Sequence, residues 1–263
     1  MNKIKIYQVD AFAATLFTGN PAAVCVLDKW LSNEILQSIA AENNLAETAF
    51  VVPGIDDFEI RWFTPAVEVD LCGHATLAAA YIYFNHLGYN KSTITFHSPR
   101  SGNLNVTQLN ENLMLDFPAD FLLPSDYVDQ IKNCIGIMPK EVLKGKTDYM
   151  AILESEEDII EVIPNFNEIA KLNARGLIIT AKGNKIDFVS RFFAPQSGIN
   201  EDPVTGSAHT SLIPYWAGKL GKNNMIARQL SKRGGELICK HNGNRSSIGG
   251  KAKLYMLGEI FID

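Results

Sequence analysis

The sequence predicts an α+β protein made of two similar halves, each a sheet wrapped around a buried helix. Three observations carry this reading. At 263 residues the chain exceeds what one compact core usually takes, so two units of about 130 residues are expected. One segment, residues 75–84 (ATLAAAYIYF), is apolar on nearly every face, and a helix of that kind must be buried. The order of elements in the first half also recurs in the second.

The first half opens with alternating apolar and polar residues over 4–11, the pattern of a half-buried strand. A turn at Thr18-Gly19-Asn20-Pro21 leads into a second strand over 22–27. Ser32 suits an N-cap, Glu34 suits a first helical turn, and Leu36, Ile39, Ala40 and Asn43 share a face, which predicts a helix over 32–44. A strand over 49–52 follows at once. Glu47 therefore sits at a helix-to-strand junction, where a side chain can face a ligand while its backbone stays anchored. Another strand spans 57–63 and ends at Pro65. The apolar helix follows Gly73 and is closed by Gly88. Strands are expected over 92–97, 102–108 and 112–117, and 118–124 is the best linker.

In the second half, 149–153 reads as a strand, 165–172 as a helix capped by Asn165, and 176–181 as a strand. FVSRFFAP at 188–195 parallels EIRWFTP at 59–65, and each leads through a loop to a glycine and a mostly apolar helix. Gly73-His74-Ala75-Thr76 is matched by Thr205-Gly206-Ser207-Ala208, with helix over 209–220. Two echoes in one order, half a chain apart, indicate an internal duplication. Its expected lobes are 1–120 and 121–263, with the terminal strand able to cross to the first. Pro214 should kink or end the second helix. Two such copies would face each other across a pseudo-twofold axis, and their helix starts, rich in unpaired N–H groups, would form one cleft that receives carboxylates.

Composition narrows the function. A net charge of −5 with scattered Lys and Arg argues against nucleic acid, since phosphate binding needs a basic face. No apolar run is long enough to cross a bilayer, and the opening residues lack a signal-peptide core, so the protein is expected in the cytoplasm with no membrane partner. Cys25, Cys72, Cys134 and Cys239 are widely spaced and form no C-x-x-C pair, so neither a disulfide framework nor a zinc site is expected.

Several residues could carry chemistry. Leu45, Ala46, Ala49 and Phe50 around Glu47 would desolvate its carboxylate and raise its proton affinity, as a proton shuttle requires. The ordinary alternative is a surface Glu at a helix end. His74, at the start of the buried helix, is suited to donating to a carboxylate or exchanging protons, although a lone His beside apolar residues is commonly structural. Cys72 is ambiguous, because a helix start favours its thiolate while burial makes it inert. In Glu201-Asp202-Pro203-Val204-Thr205-Gly206-Ser207, Gly206 permits close approach to a ligand and Asp202 and Ser207 flank a helix start; helix capping by Asp202 or Thr205 explains the same residues. Arg61, Arg191, Arg233 and Gly234-Gly235 could support anion binding, but solvated or strand-end roles explain them as well.

The segments Asn44-Leu45-Ala46-Glu47-Thr48-Ala49-Phe50, Gly73-His74-Ala75-Thr76-Leu77 and Glu201-Asp202-Pro203-Val204-Thr205-Gly206-Ser207-Ala208 resemble the marker motifs of the PhzF family. Asp10-Ala11-Phe12 and Phe17-Thr18-Gly19-Asn20-Pro21 resemble its amino-terminal signature, so the resemblance spans essentially the whole chain. It implies the diaminopimelate-epimerase-like α+β fold, with two pseudo-symmetric lobes, each a curled β-sheet around a central helix. It also implies cofactor-free isomerisation, typified by conversion of dihydro-hydroxyanthranilate in phenazine biosynthesis, and a homodimer. Glu47 matches the family's proton-shuttling Glu; His74, Asp202 and Ser207 fall on its site positions, and Gly73 and Gly206 beside the substrate carboxylate, next to Thr205. Related epimerases use one thiol from each lobe, but 201–209 contains no Cys, which favours migration of a proton on one face over inversion. Two other classes remain open: a hydrolase using Cys72 with His74, or Ser207 with Asp202 and His209, and a small-molecule binding protein that lost the reaction.

Overall fold

The alternating opening forms strand β1 (Asn2–Ala11), which pairs antiparallel with β2 (Asn20–Val26) from Lys5↔Val26 to Ala11↔Asn20. The structure, a computed structural model, describes residues 2–54 and 57–262. It divides into two units, Met1–Asp116 with Gly249–Asp263, and Phe117–Ile248.

In the first unit, helix α1 (Asn33–Asn43) starts at Ser32, whose hydroxyl accepts from the Ile35 N–H, and stops where Asn44 turns left-handed at φ 48°. β3 (Glu47–Pro53) then runs parallel to β2, and β4 (Phe58–Phe63) runs antiparallel to β3. After the short β5 (Glu68–Val69) comes α2 (Gly73–His86), the helix read from its apolar faces. β6 (Thr93–Ser98) lies parallel to β4, and β7 (Gly102–Leu109) and β8 (Asn112–Pro118) follow as antiparallel neighbours. The chain's last strand (Ala252–Ile262) returns to this unit and pairs with β1 from Asn2↔Ile262 to Ala11↔Ala252.

α2 packs against β1, β2, β3 and β7, and its residues from His74 to Ala80 are all buried. Its alanines let the strands approach closely, while Leu77 and Ile82, fully buried, each stabilise by about 1.5–3 kcal/mol. The other sheet face holds α1, with Leu36, Ile39 and Ala40 against Ala23, Cys25, Phe50 and Phe63. Since strand side chains alternate, Phe50 toward α1 places Glu47, Ala49 and Val51 on the α2 side.

The second unit repeats this pairing. After β9 (Leu123–Pro124) and α3 (Val128–Ile135), β10 (Glu141–Lys144) pairs antiparallel with β11 (Asp148–Ile152). The outer helices α4 (Glu156–Glu161) and α5 (Phe166–Ile169) follow. β12 (Gly176–Lys182) is parallel to β11 and β13 (Phe188–Phe193) antiparallel to β12. Beyond α6 (Gly206–Leu220), β14 (Asn224–Gln229) is parallel to β13 and β15 (Gly235–Asn242) antiparallel to β14, with β16 (Arg245–Gly250) and the closing β17 after them. The alternation antiparallel, parallel, antiparallel, parallel, antiparallel is the same as in the first unit, so the duplication read from two sequence echoes is present in the hydrogen-bond pattern. Ile131, Ile159 and Ile169 from the three outer helices share one core with Val142, Ala151, Ile179 and Val189 of the sheet.

Three expectations are corrected. Pro214 does not end α6, which starts at Gly206 rather than 209 and continues to Leu220. A helical proline leaves the carbonyl four residues earlier without its donor; here the Thr210 carbonyl accepts from the Asp120 N–H at 3.0 Å instead. The helix predicted over 165–172 shrinks to Phe166–Ile169, with Asn165 capping the Glu168 N–H. Arg191 is not a solvated residue but is buried and ion-paired with Glu201, and it also donates to the Ile159 and Val162 carbonyls. The sequence patterns assign no range to α3, α4, β10 or β14 to β16.

Candidate active site

The first unit brings Glu47, Gly73 and His74 together. Glu47 is the first residue of β3, opposite Ala22 of β2, and His74 is the second residue of α2. Glu47 Oε2 lies 3.2 Å from His74 Nε2, within proton-transfer distance but without hydrogen-bond alignment. Both side chains are largely removed from water, with 14% of Glu47 and 7% of His74 exposed. Burial pulls the His74 pKa down to about 4, against a smaller upward effect of a hydrogen bond with the Pro21 backbone, so the ring is neutral at pH 7. A neutral imidazole next to a carboxylate can pass a proton without burying a second charge.

Two neighbours fix this ring. Asn20 Nδ2 and Cys72 Sγ each lie 3.4 Å from His74 Nδ1. Asn20 was part of the amino-terminal signature but was not read as a site residue. The loop before it explains the signature physically. Asp10 accepts from the Phe17 N–H at 2.9 Å, and Gly19 turns at φ +70°, where a Cβ would stand 2.2 Å from the Ala11 carbonyl oxygen. Only glycine lets the chain double back closely enough to insert Asn20 beside the imidazole.

In the second unit, Asp202, Thr205, Gly206 and Ser207 gather at the start of α6. Thr205 donates through Oγ1 to Asp202 Oδ2 at 2.5 Å. Gln229, fully buried at the end of β14, accepts from the Thr205 N–H at 2.9 Å and donates to the Asp202 carbonyl at 2.8 Å and to Thr205 Oγ1 at 3.1 Å. Ser207 Oγ accepts from Arg175 Nη1 at 2.8 Å, while Arg175 Nε donates to the buried Asp148 at 3.0 Å. A hydroxyl that accepts a guanidinium hydrogen turns its own hydrogen elsewhere, so Ser207 is poised as a donor. Neither Gln229 nor Arg175 was identified from sequence, because each is separated from the motif by more than twenty residues.

Ser207 and His209 do not form a nucleophile pair. His209 Nδ1 bonds the Thr205 carbonyl at 2.8 Å, and the ring is fully buried against Phe188. That arrangement removes the serine version of the hydrolase alternative.

Residues 9–258 match the family described as phenazine biosynthesis-like protein, PhzC-PhzF. The chain belongs to this family. An uncharacterized isomerase of Pseudomonas aeruginosa is 49% identical to it over 260 residues, which cover 99% of this chain and all of that protein. The crystal structure of a PhzF-family phenazine biosynthesis protein from Enterococcus faecalis superposes with a TM-score of 0.97 at 45% identity, covering 99% of this chain and 100% of the other. A hydroxyproline epimerase of Agrobacterium vitis, solved with bound trans-4-OH-L-proline, has a TM-score of 0.61 at 7% identity over 99% of this chain and 91% of that one, a likeness of fold alone. The PhzC-PhzF chain thus has the α+β, diaminopimelate-epimerase-like fold.

Proposed function

We propose that the protein is an isomerase that moves a proton between carbon atoms of a small carboxylate-bearing substrate without a cofactor, in the manner of trans-2,3-dihydro-3-hydroxyanthranilate isomerisation. The observation that carries the reading is the Glu47 carboxylate held 3.2 Å from a buried, neutral imidazole at a helix start. As a carboxylate, Glu47 removes a carbon-bound proton and becomes a carboxylic acid. The electron pair delocalises through the conjugated substrate, and the same proton returns to another carbon, regenerating the carboxylate. His74 orients Glu47 and exchanges with it. In the first unit the N–H group at Gly73 receives the substrate's acid group beside Glu47; in the second, the Gly206 N–H and the Ser207 hydroxyl are donors suited to an acid group, with Asp202 and Thr205 beside them. The family membership and the name of the Pseudomonas relative support isomerisation.

The binding-protein alternative gains nothing from Glu47, since a second negative charge weakens carboxylate binding. The reading extends to a cytoplasmic homodimer without nucleic-acid partners; among the described residues no helix is long and apolar enough to cross a membrane. In the decisive test, Glu47→Gln keeps its circular dichroism and ligand binding but loses about 10²–10⁴-fold in turnover. Unchanged turnover would remove Glu47 from the mechanism.

A further inference from the structure

Cys72, His74 and Glu47 meet as a trio as well as in pairs. One thiol, one imidazole and one carboxylate atom lie within 4.8 Å of one another. We propose that these three side chains form a site for one zinc-class divalent cation, and that its occupancy blocks the proton carrier; the second half of this statement rests on the reading of Glu47 above.

The donor set selects the ion. Sulfur, nitrogen and oxygen together suit a borderline-soft cation such as Zn²⁺ or Co²⁺. Magnesium and calcium need several oxygen ligands, and the trio supplies a single carboxylate. Zinc bonds of about 2.0–2.3 Å place tetrahedral ligand atoms roughly 3.3–3.8 Å apart, so a trio within 4.8 Å must contract by about 1.5 Å at most. A Glu side chain can cover that distance by rotation. Cys72 lies 3.4 Å from His74 Nδ1 and Glu47 lies 3.2 Å from Nε2, so whichever nitrogen ligates, one pair is already at that spacing and the remaining donor closes from within 4.8 Å.

Charge favours the same assignment. A dication held by one thiolate and one carboxylate is neutral as a group, which suits a place where Cys72 and His74 are both buried. Cys72 occupies the N-cap position of α2 without using its side chain as a cap, so coordination takes no bond from the helix start. Binding forms a metal–sulfur bond and releases the thiol proton to solvent, with no electron transferred. Three protein ligands leave the fourth position open to water or to an acid group. With Glu47 coordinated, its carboxylate is no longer available to remove a proton.

The full-length protein, stripped of metal and titrated with Co²⁺ alone, reads the site directly. We expect a thiolate-to-cobalt charge-transfer band in the near ultraviolet that saturates at one equivalent and is displaced by Zn²⁺. The band should vanish in Cys72→Ser and persist in Cys134→Ser, whose thiol lies in the second unit. Should Cys72→Ser fail to fold, Glu47→Gln serves instead, with cobalt affinity reduced roughly tenfold or more. No band in the wild type, or a band unaffected by both Cys72→Ser and Glu47→Gln, overturns the site. In parallel, Zn²⁺ should stop isomerisation and EDTA should restore it. A Cys72-dependent band without inhibition confirms the metal site and overturns the block, and in that case it is the role of Glu47 that fails.

Discussion

Glu47 and His74 gain their chemistry from the residues that confine them. Asn44, left-handed at φ 48°, ends α1 and lets β3 begin three residues later with Glu47 on the side of α2. Asn20 then confines the imidazole that faces the carboxylate. Removing its amide with Asn20→Ala leaves buried polar atoms unsatisfied, so a loss of about 1–3 kcal/mol in chemical denaturation is expected, together with a lower kcat. An unchanged kcat would separate Asn20 from the orientation of His74. Glu47 and His74 were legible in the sequence because each sits at a predictable element boundary. Asn20 was less so, because a turn residue before proline has an ordinary explanation, and only the fold shows its amide meeting a ring 54 residues away.

At the scale of elements, the two helix starts are built differently. α2 begins at Gly73 without a side-chain cap, whereas the segment leading into α6 is braced from a distant strand by Gln229. Gln229→Leu keeps the volume but strips the buried Thr205 N–H of its acceptor, so a loss of about 1–3 kcal/mol is expected by urea denaturation, with weaker ligand binding. Stability equal to wild type would show that water replaces the amide. The loop before Asn20 gives a stricter case. Gly19→Ala sets a Cβ against the Ala11 carbonyl at positive φ, and a fall of more than about 3 kcal/mol is expected from thermal melts. Most of the first unit was readable from alternation and caps, and α4 was readable in principle through the Ser155 and Asp158 capping box. Pro214 misled because its cost was judged along the helix alone; the donor that offsets it, the Asp120 N–H, arrives from outside the helix.

Across the whole molecule, a repeated pairing order gives each unit its own buried helix, and each helix carries a buried histidine. Burial pulls the His209 pKa from 6.5 down to about 4, only partly offset by its bond to the Thr205 backbone. The unfolded chain therefore binds a proton that the folded one refuses. This contribution is fully present above pH 6.5 and is lost as pH falls toward 4, at about 1.4 kcal/mol per pH unit. His209→Gln should flatten the stability profile in that window relative to wild type, and parallel profiles would contradict the assignment. The duplication was visible in sequence because glycine-led apolar helices are rare enough to notice twice, while β14 to β16 carry turn signals too local to reveal their partners. The proton-carrier claim is tested most directly by proton NMR in D₂O on unsaturated carboxylates, trans-2,3-dihydro-3-hydroxyanthranilate among them. The wild type should exchange or relocate a carbon-bound proton and Glu47→Gln should do neither; equal exchange or relocation by the two proteins, or binding with neither by the wild type, would contradict it.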